Sequence, residues 1–160
     1  MYVYNKGTSG KKWGKVVNMF YGQFEHSIDE KNRLMVPRKM RDEAGVKLFI
    51  MKGFEGSLSI YKASDFDRLV NEVQQLSFTH RNARDYIRAT IGSAMELDVD
   101  KQGRIQIPTY FMNKYAISKD VVVIGAGDHF EIWNKDKFNE YESSLDESFE
   151  SIAETLYQDK

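Results

Sequence analysis

The chain says one thing twice. Asp29-Glu30-Lys31-Asn32-Arg33 returns as Asp100-Lys101-Gln102-Gly103-Arg104. Both copies run on to an apolar-x-apolar-Pro ending: Leu34, Val36 and Pro37 in one, Ile105, Ile107 and Pro108 in the other. Asp29 to Asp100, Arg33 to Arg104 and Pro37 to Pro108 are each a step of 71 residues. After an inserted residue the register resumes at 72, matching Gly53 to Gly125, Leu58 to Phe130, Ile60 to Ile132, Tyr61 to Trp133 and Phe66 to Phe138. A repeat of this length is a whole supersecondary unit used twice, so the fold has to be built from two related halves.

The turn inside each unit carries its own signature. Asp opens it, and three positions later stands Asn32 or Gly103, the residue types that enter positive φ most easily. A type I turn with Asp at its first position, followed by a left-handed residue forming a bulge, closes a hairpin. The flanks alternate as strands do: Phe24, His26, Ile28 before and Leu34, Val36 after, then Met95, Leu97, Val99 before and Ile105, Ile107 after. Pro37 and Pro108 end the strand and suit the first turn of a helix. Each unit therefore begins as hairpin, proline, short helix. The turn-forming set is Asp29, Asn32, Asp100 and Gly103.

The rest of each unit follows the same plan. Residues 38–44 read as a short helix ending near Gly45, then 47–52 and 57–61 as strands around the turn Gly53-Phe54-Glu55-Gly56. Ser64 reads as the N-cap of a helix striped by Phe66, Leu69, Val70, Val73 and Leu76. A second helix over 83–91 connects the halves. In the second unit 110–115 reads as the short helix, 121–124 and 130–133 as strands. A final helix carries Phe138, Tyr141, Leu145, Phe149, Ile152 and Leu156 at spacings of three and four. That stripe suits packing on its own core, and its length, near 20 residues, also suits a neighbouring subunit.

With 160 residues, 41% of them hydrophobic and 13% aromatic, the chain can bury a substantial core. There is no cysteine, which excludes disulfides and thiolate metal sites and fits a reducing cytoplasm. No apolar run approaches the roughly 20 residues of a membrane helix. Residues 1–18 hold four lysines and no acid; they read as a mobile basic extension, either an arm that touches phosphate or a disordered end, with Met19 as an alternative start.

The net charge of −1 hides a segregation. Between Lys31 and Arg41 stand five basic residues, Lys31, Arg33, Arg38, Lys39 and Arg41, and no acid. Residues 136–160 hold eight acids against two lysines, and without that tail the remainder carries +5. Enzyme constellations are scarce. His26, His80 and His129 share no ligand spacing, so no metal or catalytic site is expected. Gly125-Ala126-Gly127 imitates a dinucleotide loop, but Phe130 stands where its third glycine belongs, and a hairpin turn is expected there. No cofactor and no small-molecule substrate are implied. The aspartates read as turn closers that bond backbone amides. For the arginines two readings stand: a salt bridge to the turn Asp, or contact with phosphate and guanine edges. Asp29 to Arg41 carries five bases and two acids, whereas Asp100 to Met112 carries two bases and one acid, so Arg33 lies in the more positive copy.

With these residues in view, the chain resembles the MraZ family of bacterial transcription regulators, related to the AbrB-like swapped-hairpin DNA-binding proteins. The resemblance runs from Met19 to Tyr141. It rests on Met19-Phe20-Tyr21-Gly22, the two D-x-x-x-R turns, the prolines after them and Phe130-Glu131-Ile132-Trp133. Asn32 stands where such proteins usually have Gly. The resemblance implies an α+β fold: a β-rich swapped-hairpin pseudobarrel of two internal repeats, flanked by helices. The expected segments are 1–18 (extension), 22–69 (first repeat), 70–92 (connecting helices), 93–138 (second repeat) and 139–160 (acidic C-terminal helix). It further implies a homo-oligomeric ring in the cytoplasm and nucleoid. That ring binds double-stranded DNA at direct repeats upstream of its own cell-division and cell-wall operon, without catalysis. The DNA-facing set it implies is Arg33 first, then Lys31, Arg38 and Lys39, with Arg104 and Lys101 from the second copy. The acidic tail would then lie away from DNA. The alternatives are an AbrB-like antitoxin whose tail wraps a protein partner, against which the duplicated unit argues, and an enzyme using the Asp and Arg pairs, for which no nucleophile is present.

Overall fold

The computed structural model describes the backbone of residues 2–7 and 10–15 and all of residues 19–158. At the N-terminus β1 (Tyr2–Gly7) pairs antiparallel with β2 (Gly10–Lys15), where the sequence shows no strand period. The mobility expected of 1–18 falls partly on residues 1, 8, 9 and 16–18, which lie outside the described set.

The first unit then supplies β3 (Gln23–Ser27), β4 (Arg33–Met35), a 3-10 turn (Arg38–Met40), α1 (Arg41–Ala44), β5 (Lys47–Lys52), β6 (Leu58–Lys62) and α2 (Ala63–Gln74). A connecting helix, α3 (Arg81–Ala89), and a 3-10 turn (Ile91–Ser93) follow. The second unit repeats the order as β7 (Met95–Asp98), β8 (Arg104–Gln106), α4 (Thr109–Lys114), β9 (Asp120–Gly125), β10 (His129–Asn134) and α5 (Lys135–Gln158).

The units do not fold side by side. Six strands form one antiparallel sheet in the order β3-β9-β10-β6-β5-β7, and β4 with β8 forms a separate two-stranded ribbon. Thus β3 of the first unit pairs with β9 of the second, and β7 of the second with β5 of the first. Exchanging each strand for its counterpart (β3 for β7, β5 for β9, β6 for β10) reverses the order onto itself. A pseudo-dyad therefore passes between β6 and β10.

Strand alternation sends Leu48, Ile50, Leu58, Ile60, Val121, Val123, Phe130 and Ile132 to one face. The ribbon covers them with Leu34, Val36, Ile105 and Ile107, and the short helices add Met40, Ala44, Phe111 and Tyr115, making one core. On the other face α5 lays Phe138 and Tyr141 against Trp133, with ring centroids 5.4 and 4.9 Å away. In the first unit Phe66 of α2 stacks on Phe49 at 4.2 Å.

Two local expectations change. Ser64 does not cap α2; the helix starts at Ala63 from an extended Lys62 and has no side-chain cap. The cause is β6, which runs straight into the helix. In the second unit the position matching Lys62 is Asn134, whose Oδ1 accepts from the Lys137 amide at 3.1 Å, so that helix is capped. Gly125-Ala126-Gly127 is the β9–β10 turn, with Ala126 N–H donating to the His129 carbonyl at 2.9 Å. Gly125 is needed for a further reason: a Cβ there would stand 2.3 Å from the Tyr21 nitrogen, where the entering chain crosses at Phe20. Among the described residues no helix is long and apolar enough to cross a membrane.

Candidate nucleic-acid interface

Both repeated turns close by the same bonds. Asn32 N–H donates to the Asp29 carbonyl at 3.0 Å and Gly103 N–H to the Asp100 carbonyl at 2.9 Å, the i to i+3 bond of a type I turn. Asn32 then stands at φ 60° and Gly103 at φ 81°. Asp29 N–H reaches the Arg33 carbonyl at 3.0 Å, and Asp100 N–H the Arg104 carbonyl at 2.9 Å, which closes the bulge.

The aspartate side chains do more than turn the chain. Asp29 Oδ1 accepts from the Lys31 and Arg33 amides at 2.9 and 2.8 Å, and its Oδ2 accepts from Arg33 Nε at 2.7 Å. In the second copy Asp100 Oδ1 accepts from the Gln102 and Arg104 amides, both at 2.9 Å, and its Oδ2 from Arg104 Nε at 2.8 Å. The Arg33 amide bond holds the Asp29 carboxyl below the usual carboxylate range; desolvation works against it, and the Arg33 guanidinium and Lys31 amide add to the lowering. Asp100 is lowered in the same way, first by the Arg104 amide, against desolvation, then by the Arg104 guanidinium and the Gln102 amide. Both readings of these residues drawn from turn chemistry therefore hold: the aspartates close turns, and each arginine is paired to its own Asp.

The pairing leaves part of each arginine outward. Only Nε is bonded to the carboxylate, and the Arg33 and Arg104 side chains remain 31% and 26% exposed. The β4–β8 register places Arg33 opposite Gln106 and Met35 opposite Arg104, with the buried Leu34–Ile105 pair between. All four flanking side chains thus share the outward face of the ribbon. The two arginines are diagonal neighbours, about 7–8 Å apart at the backbone. The ribbon is tied across its ends by Ile107 N–H to the Asn32 carbonyl at 2.8 Å and Val36 N–H to the Gly103 carbonyl at 2.9 Å. Gln106 Nε2 donates to the Lys31 carbonyl at 2.9 Å, joining one turn to the opposite strand.

Of the residues singled out from sequence, the fold gathers Arg33, Arg104 and Lys31 on this ribbon and its turns, with Lys101 exposed in the second turn. Arg38 and Lys39 are exposed on the 3-10 turn after Pro37. No hydrogen bond or ion pair among the described residues ties them to the ribbon.

Arg41 is the basic residue whose position sequence reasoning missed. It belongs to the first unit but lies over the second turn. A Cβ on Gly103 would stand 2.8 Å from Arg41 Nε and 3.1 Å from its Cζ. Its Nε donates to the Val36 carbonyl at 3.0 Å. His26 is lowered by burial and then by the Arg41 charge. The signal was the unbroken basic run that ends at Arg41; its crossing to the other unit follows from the strand exchange. The position equivalent to Arg41 is Met112, which lines a shallow cleft with Asn32, the equivalent of Gly103.

The comparisons with known proteins agree in direction. The family model described as "MraZ protein, putative antitoxin-like" matches residues 19–89 and again 90–160. A protein of Caldanaerobacter subterraneus subsp. tengcongensis named transcriptional regulator MraZ is 41% identical over 138 residues, covering 86% of this chain and 96% of that one. Proteins of the same name from Heliobacterium modesticaldum, 38% identical over 138 residues, and Clostridium beijerinckii, 41% identical over 139, cover the same shares.

Proposed function

Because the chain belongs to the MraZ family, we propose that it is a sequence-specific regulator of transcription that binds double-stranded DNA. It works as a ring of identical copies on direct repeats upstream of its own cell-division and cell-wall operon, in the cytoplasm at the nucleoid. The observation that carries this reading is the pair of Asp-clasped arginines set diagonally on one outward ribbon face.

The clasp suits recognition physically. A free arginine loses rotamer freedom when it binds; here the bond from Nε to the turn carboxylate has already fixed the stem. The terminal nitrogens carry no bond to the carboxylate, although Arg104 Nη2 also donates to Gln102 Oε1 at 3.4 Å, and they form the fork that matches a phosphate or the O6 and N7 of guanine. Asp29 and Asp100 are thus orienting groups, and Arg33 and Arg104 the contacting ones. Lys31, Lys101, Arg38 and Lys39 supply phosphate contacts around them. The crosswise pairing of β3 with β9, β7 with β5 and β4 with β8 supports a swapped-hairpin pseudobarrel, in which both units present their turns together. One chain offers a modest charge; several copies in a ring offer many contacts at high effective concentration. The relatives are named as transcriptional regulators, and no catalytic step is assigned to this chain.

The test is binding to the upstream duplex of its own gene against a scrambled duplex, over a range of salt. Preference for its own DNA with a steep salt slope is expected, and Arg33→Ala should lose that preference while remaining folded. Equal and weak binding to both duplexes by the wild type would defeat the reading. It would direct attention to a protein partner.

A further inference from the structure

Helix α5 is twice the length that its place in the fold requires. Its counterpart α2 ends at Gln74 after 12 residues, while α5 runs 24 residues to Gln158. The first turns of α5 are spent on the sheet: Phe138 is 3% exposed and Tyr141 stacks on Trp133. The apolar stripe then continues off the body. Phe149 is 68% exposed, Ile152 42% and Leu156 65%. Their spacing of three and four keeps them on the same side as Leu145, so among the described residues Phe149, Ile152 and Leu156 continue the apolar stripe as an exposed face.

Charge decides what can cover that face. Between Phe138 and Gln158 stand Glu140, Glu142, Asp146, Glu147, Glu150 and Glu154, with no basic residue. Pairing two such helices along their stripes would set carboxylates against carboxylates at the flanking positions. The same molecule offers the opposite sign elsewhere. An open cavity of about 400 Å³ lies between the end of α3, the start of β7 and α4. Its lining includes the cations Lys52, Arg88 and Lys114 together with Met95, Tyr110 and Tyr115, and no carboxylate. Tyr110 is 50% exposed and Met95 40%. Arg88 meets Asp85 at a loose 3.8 Å, while Lys114 Nζ donates to Tyr110 Oη at 2.9 Å.

We infer that this groove receives the far half of α5 from a second copy of the chain. Phe149, Ile152 and Leu156 enter it, and the flanking Glu150 and Glu154 meet Lys52, Arg88 and Lys114. The contact is heterologous: each copy donates a tail at one surface and accepts one at another. Repetition of a heterologous contact closes into a ring when the rotation allows. The inference rests on the ring reading above and names the contact that builds it.

Two variants test it, read by sedimentation velocity and by binding to upstream DNA. Phe149→Asp with Leu156→Asp spoils the tail and leaves the groove. Arg88→Glu with Lys114→Glu spoils the groove and leaves the tail. Each alone should fall from the wild-type assembly to single chains, and an equimolar mixture should recover a two-chain species, since one sound tail then meets one sound groove. Adding Glu150→Lys and Glu154→Lys to the groove variant should restore the larger assembly, which misfolding would not allow. If the groove variant keeps the wild-type mass while the tail variant dissociates, the tails pair with each other and the inference is overturned. If the groove variant keeps its mass but loses DNA, the groove is a nucleic-acid surface, which also overturns it. Wild-type mass in both variants overturns the docking alone. A wild type that sediments as single chains removes the ring reading and the inference with it.

Discussion

The turns at Asp29 and Asp100 share every bond that closes them and differ in what lies on top. In each, one carboxylate takes two amides and its own arginine within 0.1 Å of the same distances, 2.9, 2.8 and 2.7 Å in the first and 2.9, 2.9 and 2.8 Å in the second. Over the second turn lies Arg41, which requires the bare Gly103. Near the first lies Met112, beside an Asn that fills the same backbone position. Duplication has kept the device that aims an arginine and let the surroundings diverge. Geometry is therefore shared between the halves, whereas charge and tolerance to change are not.

The largest effect expected is on Gly103. Gly103→Val forces a β-branched residue into φ 81° and displaces Arg41. It should cost about 2 kcal/mol or more. Asn32→Gly, at the matching place, should change stability by less than about 0.5 kcal/mol. Urea unfolding at one fixed chain concentration measures both, and equal costs would erase the asymmetry.

A sharper form makes the second turn resemble the first. Arg41→Met should relieve part of the cost of Gly103→Ala, with a coupling of about 1 kcal/mol in a double-mutant cycle. Strict additivity would mean that Arg41 does not crowd the glycine.

Acid titration tests what the two turns share. Both carboxyls titrate lower in the folded than in the unfolded chain. Each therefore adds stability above the unfolded value of about 4 and loses it as pH falls through the lower folded value. Asp29→Asn and Asp100→Asn should each be less stable at neutral pH and show a flatter acid limb, to the same extent. A flattening in only one would show that the turns are not electrostatic equals.

The smallest effect belongs to a position where the halves differ outright. His129 matches Ser57, and it stacks on Tyr61 at 4.9 Å. Burial opposes its charge, but the bonds it donates to the Glu131 and Asp128 carboxylates outweigh that and raise it. A raised histidine contributes fully below its unfolded value of about 6.5 and loses that contribution as pH rises through the folded value. His129→Gln should remove a shallow decline of stability above pH 6.5, visible in the thermal midpoint, and Ser57→Ala should leave that decline in place.

These differences also mark how far the sequence could be read. The turns were legible because Asp, Asn and Gly at fixed offsets act through their own neighbours. The strands of the core were legible because period two fixes which side chains share a face. It does not fix which strand lies alongside, so the exchange of β3 and β7 between units was invisible to periodicity, and with it the arrival of Arg41 over Gly103. Ser64 misled because cap chemistry is local, while the end of β6 at Lys62 is set by pairing with β5 and β10. The stripe on α5 was legible to Leu156; its exposure beyond Leu145 depends on where the sheet stops. The clasp between each Arg and its Asp was one of two open readings, because a spacing of four in a turn does not fix where a guanidinium points.

The proposed role of the carboxylate clasp is to aim an arginine fork at DNA. Arg33→Lys tests it most directly, since lysine keeps the charge but can neither hold the clasp through Nε nor present a fork. The measurement is affinity for the upstream duplex and for a scrambled one, across salt, with the oligomeric state checked. A loss of about fivefold or more is expected on the upstream duplex, in line with a bidentate base contact worth about 1–3 kcal/mol. The scrambled duplex and the salt slope should be nearly unchanged. Wild-type affinity and preference in Arg33→Lys would contradict the claim and leave the clasp as a device of the turn alone.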